Sequence, residues 1–155
     1  MRESTLSATE VEALHRAELG LEWLRRAHGH LIEFHHAIGH GMDHLDVVEG
    51  LLRESGHAEL ADELRTVHLP RGVIDGHREQ ARVQDDRWSY DVLETFEEGL
   101  LADVIDFEGR TRRELADGAR HVAERRQERE WRARARATDA AGRDDSADRK
   151  TDLDI

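Results

Sequence analysis

Cysteine is absent from this 155-residue chain, which excludes disulfides, thiolate nucleophiles, cysteine-ligated zinc and iron–sulfur clusters. Proline occurs once, as Pro70, so one point in the sequence is barred from continuing a helix. Lysine also occurs once, as Lys150, which leaves arginine to supply the positive charge. Aromatic residues make up only 5%, too few for an aromatic-rich core. No stretch approaches the roughly 18 uncharged apolar residues of a membrane helix, and Met1-Arg2-Glu3-Ser4 opens no apolar signal-peptide run. The expectation is a cytoplasmic protein with no membrane partner. Gly-rich phosphate loops, the Gly-x-Ser-x-Gly elbow and His-Glu-x-x-His are missing too, and Gly72-Val73-Ile74-Asp75-Gly76 lacks the spacing and lysine of a nucleotide loop.

What the chain has in quantity is charge. Charged and apolar residues each account for 37%, with 35 acidic against 23 basic side chains and a formal net charge of −12. Ordinary globular domains are about 45–50% apolar, so an elongated, surface-rich molecule is expected. An acidic surface almost without lysine is similar to that of proteins from salt-in halophiles. Carboxylates stay hydrated there, and molar salt cuts the Debye length to about 3 Å, so their repulsion costs little. A GC-rich genome, which also favours arginine, is the plainer alternative, and the halophile reading is preferred to it. Together with the stretches His35-His36-Ala37-Ile38-Gly39-His40 and Arg87-Trp88-Ser89-Tyr90, this composition resembles uncharacterised small helical proteins of haloarchaea. That resemblance covers most of the chain and implies no particular activity.

Helical periodicity dominates. Ser7 and Glu10 form a capping box, and Leu6 and Val11 occupy the staple positions around it. From Leu14, the residues Ala17, Leu21, Leu24, His28, Leu31, His35, Ile38, Met42, Leu45, Glu49 and Leu52 recur at alternating spacings of three and four, and Gly56 is placed to end the run. The period predicts one long helix over 7–55. Gly29, Gly39 and Gly41 imply a kink or break near 29 or 40, or close packing of another backbone there. A short helix over 57–67 is stopped by Pro70. Residues 70–86 read as a connection, with a helical turn around 77–84. A second long helix is expected over 87–137, striped by Leu93, Phe96, Leu100, Val104, Phe107, Thr111, Leu115, Gly118 and Val122. Residues 138–155 read as an acidic, disordered tail.

Nothing alternates at period two, so the expected fold is all-α: two long antiparallel helices and a short connecting helix, forming one domain over 1–137. Each helix of such a hairpin buries a single stripe. Dimerisation into a four-helix arrangement is the natural completion. Trp23, Trp88, Tyr90 and Phe96 read as packing anchors.

Two constellations carry chemistry. Six of the eleven histidines fall within residues 28–44, and His36, His40 and His44 follow at i, i+4 and i+8 with Asp43 and Glu33 beside them. Imidazoles four apart stack on one helix face and can share a transition-metal ion such as zinc or iron. One helix supplies two such ligands. The others would come from another helix, from His68, Asp75 and His77, or from a second subunit. At about 100° per residue this row points away from the apolar seam, whose edge instead carries His28 and His35. Glu12-x-x-His15 and Glu33-x-x-His36 match the Glu-x-x-His element of iron-binding bundles, but neither the ferritin-like nor the hemerythrin-like ligand pattern fits over the chain. Hence two functional readings follow. One is a non-enzymatic helical binding or assembly protein using the histidine face, and the other is a metal-dependent bundle protein with a redox or oxygen-handling role.

The second constellation is basic. Residues 110–136 hold ten arginines against five acids, while residues 1–109 hold ten basic and 24 acidic residues. Trp131 stands in this basic run. Solvated i, i+4 pairs such as Glu128–Arg132 and Glu130–Arg134 account for part of it. The run could also dock on an acidic second subunit or protein partner. Nucleic acid is disfavoured, because no recognition motif accompanies the arginines and molar salt weakens phosphate binding.

Overall fold

The computed structural model describes residues 5–76 and 86–148, with 142–148 described as backbone only. The described residues are helical apart from short connections, and they contain no strand beyond an isolated bridge between Ile74 and Arg87. Helix α1 spans Ala8–Glu54, and α2 spans Ala58–Glu63 and runs on as a π-helical turn, Leu64–His68. Helix α3, Ser89–Phe96, passes through a second π turn, Glu97–Leu101, into α4, Ala102–Ala116. Helix α5 spans Val122–Asp148.

The start and stop of α1 follow from its sequence. Ser7 N donates to Glu10 Oε2 at 2.7 Å, and Glu10 N donates to Ser7 Oγ at 3.2 Å, a reciprocal capping box. At the other end Gly56 adopts φ +86°, His57 N donates to the Leu52 carbonyl at 2.8 Å, and Gly56 N to that of Arg53 at 3.2 Å. This is the Schellman arrangement, and only glycine enters its left-handed position without strain. Between these ends the helix is continuous. The kink or close approach expected near 29 or 40 is not there: a Cβ built on Gly29, Gly39 or Gly41 would meet nothing within 4 Å. Forty-seven residues of helical hydrogen bonding absorb a cost of about 1 kcal/mol per glycine.

The second long helix expected over 87–137 is interrupted. Asp117 at φ 51°, Gly118 at φ 86° and His121 at φ 57° take the chain out of α4, and α5 begins afresh at Val122. Gly118 N donates to the Arg112 carbonyl at 3.0 Å, and the Arg112 guanidinium donates to the Gly118 carbonyl at 2.8 Å, sealing the end of α4. Arg112 also donates to buried Glu108 at 3.0 Å. A stripe that passes smoothly through Gly118 and Val122 does not reveal the three left-handed residues Asp117, Gly118 and His121. Beyond residue 137, where a disordered tail is expected, α5 continues to Asp148; residues 149–155 lie outside the described residues.

A further departure sits at Gly99, whose φ −97°, ψ −109° are non-helical. A π turn inserts one residue into the helical repeat and rotates everything after it. Leu101 is accordingly 6% exposed, whereas Leu100, assigned to the stripe, is 54% exposed. Further along α4, Val104 stays half-buried, and then Glu108 and Ala116 are buried while Phe107 is exposed and Leu115 half-buried.

The chain divides into two compact units, Met1–Leu19 with Phe107–Ile155, and Gly20–Asp106, where the sequence suggested one domain over 1–137. In the first, Val11, Leu14, Ala116 and Val122 form a small core joined by Leu6, Leu115, Ala119 and Ala123. Leu6 and Val11 are the staple pair. In the second, Leu21, Ala61 and Leu101 are buried, together with Ser89 and Glu49. The connection 70–76 is tied by Arg71 to Asp75 and by Asp86, which accepts from Gly76 N at 2.9 Å. Pro70 follows the last helical residues of this region, as expected. The helical turn expected around 77–84 lies outside the described residues.

Candidate metal centre

The row His36, His40 and His44 lies on α1 with Asp43 and Glu33, and all five side chains are exposed. His30 Nδ1 stands 3.8 Å from Glu33 on the same helix. Among the described residues, no cluster of three or more metal-type ligand atoms includes a member of the row. His68 pairs with Glu63 at 2.8 Å, and Asp75 with Arg71 at 2.6 Å, so neither turns to the row; His77 lies outside the described residues.

Within the run 28–44, the histidines that meet another helical element are the two on the seam edge. His28 Nε2 lies 2.7 Å from Glu97 Oε1, its ring stacked near Phe96. One turn pair further on, His35 Nδ1 lies 2.8 Å from Ser89 Oγ, with Tyr90 edge-on to its ring. As residue numbers rise along α1, those of the partners fall. Phe96 thus packs as an anchor, Tyr90 touches His35 edge-on while 49% exposed, and Trp23 is 66% exposed, with the Arg26 guanidinium over its ring. On the same seam, Glu49 is buried and accepts from Arg53 at 2.7 Å, with Arg65 at 3.0 Å. The Arg53 hydrogen bond holds the Glu49 carboxyl below its ordinary range; burial opposes that shift, and the charge of Arg65 adds to it.

A different set of metal-type ligands converges in the first unit. Glu18, His121 and Glu124 each offer one ligand atom, and these atoms lie within 4.8 Å of one another. Their neighbour is His15, whose Nδ1 sits 3.2 Å from Glu124 Oε1. The cluster is positioned by the small core beside it, since Leu14 and Val122 are buried and adjacent in sequence to His15 and His121. Glu18 Oε1 accepts the His121 backbone N–H at 3.0 Å, fixing the entry to α5, while its Oε2 faces His121 Nδ1 at 3.9 Å. Both helices contribute the same element, His-x-x-Glu: His15 to Glu18 on α1, and His121 to Glu124 at the start of α5. On α1, three residues apart is one face, whereas His121 precedes the first residue of α5. Sequence inspection for Glu-x-x-His reads the pattern in the opposite order, and a sparse pair 106 residues apart is outweighed by a dense run of histidines. The recurrence of His-x-x-Glu was the available signal.

The basic segment lies along α5. Arg126 donates to the Leu6 carbonyl at 3.1 Å, Arg125 to that of Arg120 at 3.2 Å, and Arg132 pairs with Glu128 at 2.5 Å, as the i, i+4 spacing predicts. Trp131 is exposed.

No protein-family model matches the chain, and neither a curated protein nor a solved structure matches it. No helix among the described residues is long and apolar enough to cross a membrane.

Proposed function

We propose that this chain is a non-enzymatic helical assembly protein of a salt-adapted cytoplasm, and that it acts as a homodimer. The observation that carries the reading is the amount of apolar side chain left uncovered on the helices. Val47, Leu51, Leu60, Leu100 and Phe107 are each more than half exposed, and among the described residues no large side chain is fully buried. Apolar surface on this scale, beside so thin a core, is the surface that a partner covers in stable helical proteins. A second copy is the occupant favoured by charge. Arginines crowd α5 while residues 1–109 are strongly acidic, so two copies present complementary surfaces to each other. The falling partner numbers along α1 fit a long antiparallel hairpin, and two hairpins make a four-helix arrangement. In this reading the exposed row of His36, His40, His44, Asp43 and Glu33 remains a polar face open to a further ligand.

Light scattering coupled to size exclusion, in molar KCl and at low salt, tests the proposal. A dimer mass at micromolar concentration is expected. A monomer mass across the concentration range, with helical circular dichroism intact, overturns it.

A further inference from the structure

We infer that Glu18, His121 and Glu124, with His15 alongside, form a binding site for a divalent first-row transition-metal ion that clips the beginning of α1 to the beginning of α5. The site is separate from the histidine row on α1, and the inference does not depend on dimerisation.

The donor set comes first. Two imidazoles and two carboxylates, without thiolate, suit borderline ions such as Zn²⁺, Fe²⁺ or Co²⁺ better than Mg²⁺ or Ca²⁺, which take oxygen ligands. A tetrahedral ion with bonds of about 2.0–2.2 Å holds its ligand atoms about 3.3–3.6 Å apart. His15 Nδ1 and Glu124 Oε1 are 3.2 Å apart, and His121 Nδ1 and Glu18 Oε2 are 3.9 Å apart, so the two cross-helix pairs bracket that edge.

Hydrogen bonding does not account for these distances. At 3.9 Å the His121–Glu18 side-chain pair is too long for a hydrogen bond. The Nδ1 atom of His15 is buried and makes no hydrogen bond, although Glu124 Oε1 lies 3.2 Å away. A buried imidazole nitrogen without a partner is costly and demands a reason. Coordination to an ion uses the lone pair of Nδ1 and removes that cost.

One ligand is already held in place. Glu18 spends one oxygen on the His121 backbone N–H and keeps the other free, so its carboxylate is oriented before any ion arrives. The closed set is the triad Glu18, His121 and Glu124, whose ligand atoms lie within 4.8 Å of one another at a partly exposed surface. His15 is placed to enter as a fourth ligand from the core side. The ion would then bridge two segments more than a hundred residues apart in sequence, a cross-link in a chain that has no cysteine to make one.

The test uses the full chain without a histidine tag, in a His36→Ala, His40→Ala, His44→Ala background that removes the exposed row. Titration with Zn²⁺, and with Co²⁺ read by its visible absorption, is expected to show one ion per chain. Saturating Zn²⁺ is expected to raise Tm by roughly 5–10 °C. Equal concentrations of Mg²⁺ should not compete. His121→Asn keeps a residue that tolerates the left-handed backbone, and Glu18→Gln keeps an acceptor for the backbone N–H. Each should lower Zn²⁺ affinity at least tenfold while leaving circular dichroism of the metal-free protein unchanged. Glu124→Gln should do the same, and His15→Ala should change the Co²⁺ spectrum. Absence of stoichiometric Zn²⁺ or Co²⁺ binding in this background overturns the inference, as does binding that both His121→Asn and Glu124→Gln leave intact.

Discussion

Leu101 is buried and its neighbour Leu100 is solvent-facing, at 6% and 54% exposure, although the helical period assigns the inward position to Leu100. The π turn around Gly99 exchanges them by inserting one residue into the repeat. Further along the chain Glu108 rather than Phe107 is buried, and it takes Arg112 as its partner.

The exchange is measurable. Leu101→Ala is expected to cost about 2–5 kcal/mol, the range for a buried leucine. Leu100→Ala should change the stability of the monomeric chain by only about 0.5 kcal/mol. Urea denaturation of the two variants at equal protein concentration checks the pair. Equal losses would mean that the stripe runs straight through Gly99.

Acid sensitivity should centre on Glu49. Its folded carboxyl titrates below the unfolded value of about 4.3, so its contribution is fully present above that pH and is lost as pH falls through the lowered folded value. Glu49→Gln removes the contribution. The stability gap between the native chain and Glu49→Gln should therefore be constant from neutrality to about pH 5, then close below about pH 4. Urea midpoints across that range read it, and a gap that widens on acidification would contradict the assignment. Glu10, held low by the Ser7 backbone and side-chain hydrogen bonds, shifts in the same direction.

Both ends of α1 have a residue that can be changed alone. Gly56→Ala forces a Cβ into the left-handed region at φ +86° and should destabilise by about 1–2 kcal/mol. Ser7→Ala removes the acceptor for Glu10 N and should cost about 1 kcal/mol. Thermal melts are sufficient for both.

Association, if it uses charge complementarity, should depend on the outer turns of α5. The triple change Arg132→Gln, Arg134→Gln, Arg136→Gln leaves the Arg126–Leu6 contact in place, so the fold around the first core is untouched. The dimer dissociation constant measured by sedimentation should rise by about tenfold or more at low salt, and by less in molar KCl. Unchanged association at low salt would assign the interface to apolar contacts alone.

Much of the helical framework was legible. The capping box at Ser7 and Glu10, the terminator at Gly56, the short helix before Pro70 and the inward-facing edge carrying His28 and His35 all depend on neighbours within a few residues, and local chemistry encodes them directly. The break at Asp117–His121 was not legible, since a non-glycine residue enters the left-handed region only where surrounding packing holds it. The metal-type cluster was not legible for a related reason: His15 and Glu18 gain meaning only when His121 and Glu124 are brought beside them, and neither pair is unusual alone.

By itself, the sequence determined that this protein is helical, acidic and free of thiol chemistry, because composition and period act residue by residue. Tertiary structure decided which face each helix buries after Gly99, where the second long helix stops, and which histidines acquire carboxylate partners across helices. A single inserted residue rotates a face by about 100°, and a cross-helix pair depends on two positions far apart in the chain. Neither leaves a mark on the local pattern. The dense row at His36, His40 and His44 draws the eye in the sequence, yet the ligand atoms that converge belong to Glu18, His121 and Glu124, which the fold alone assembles.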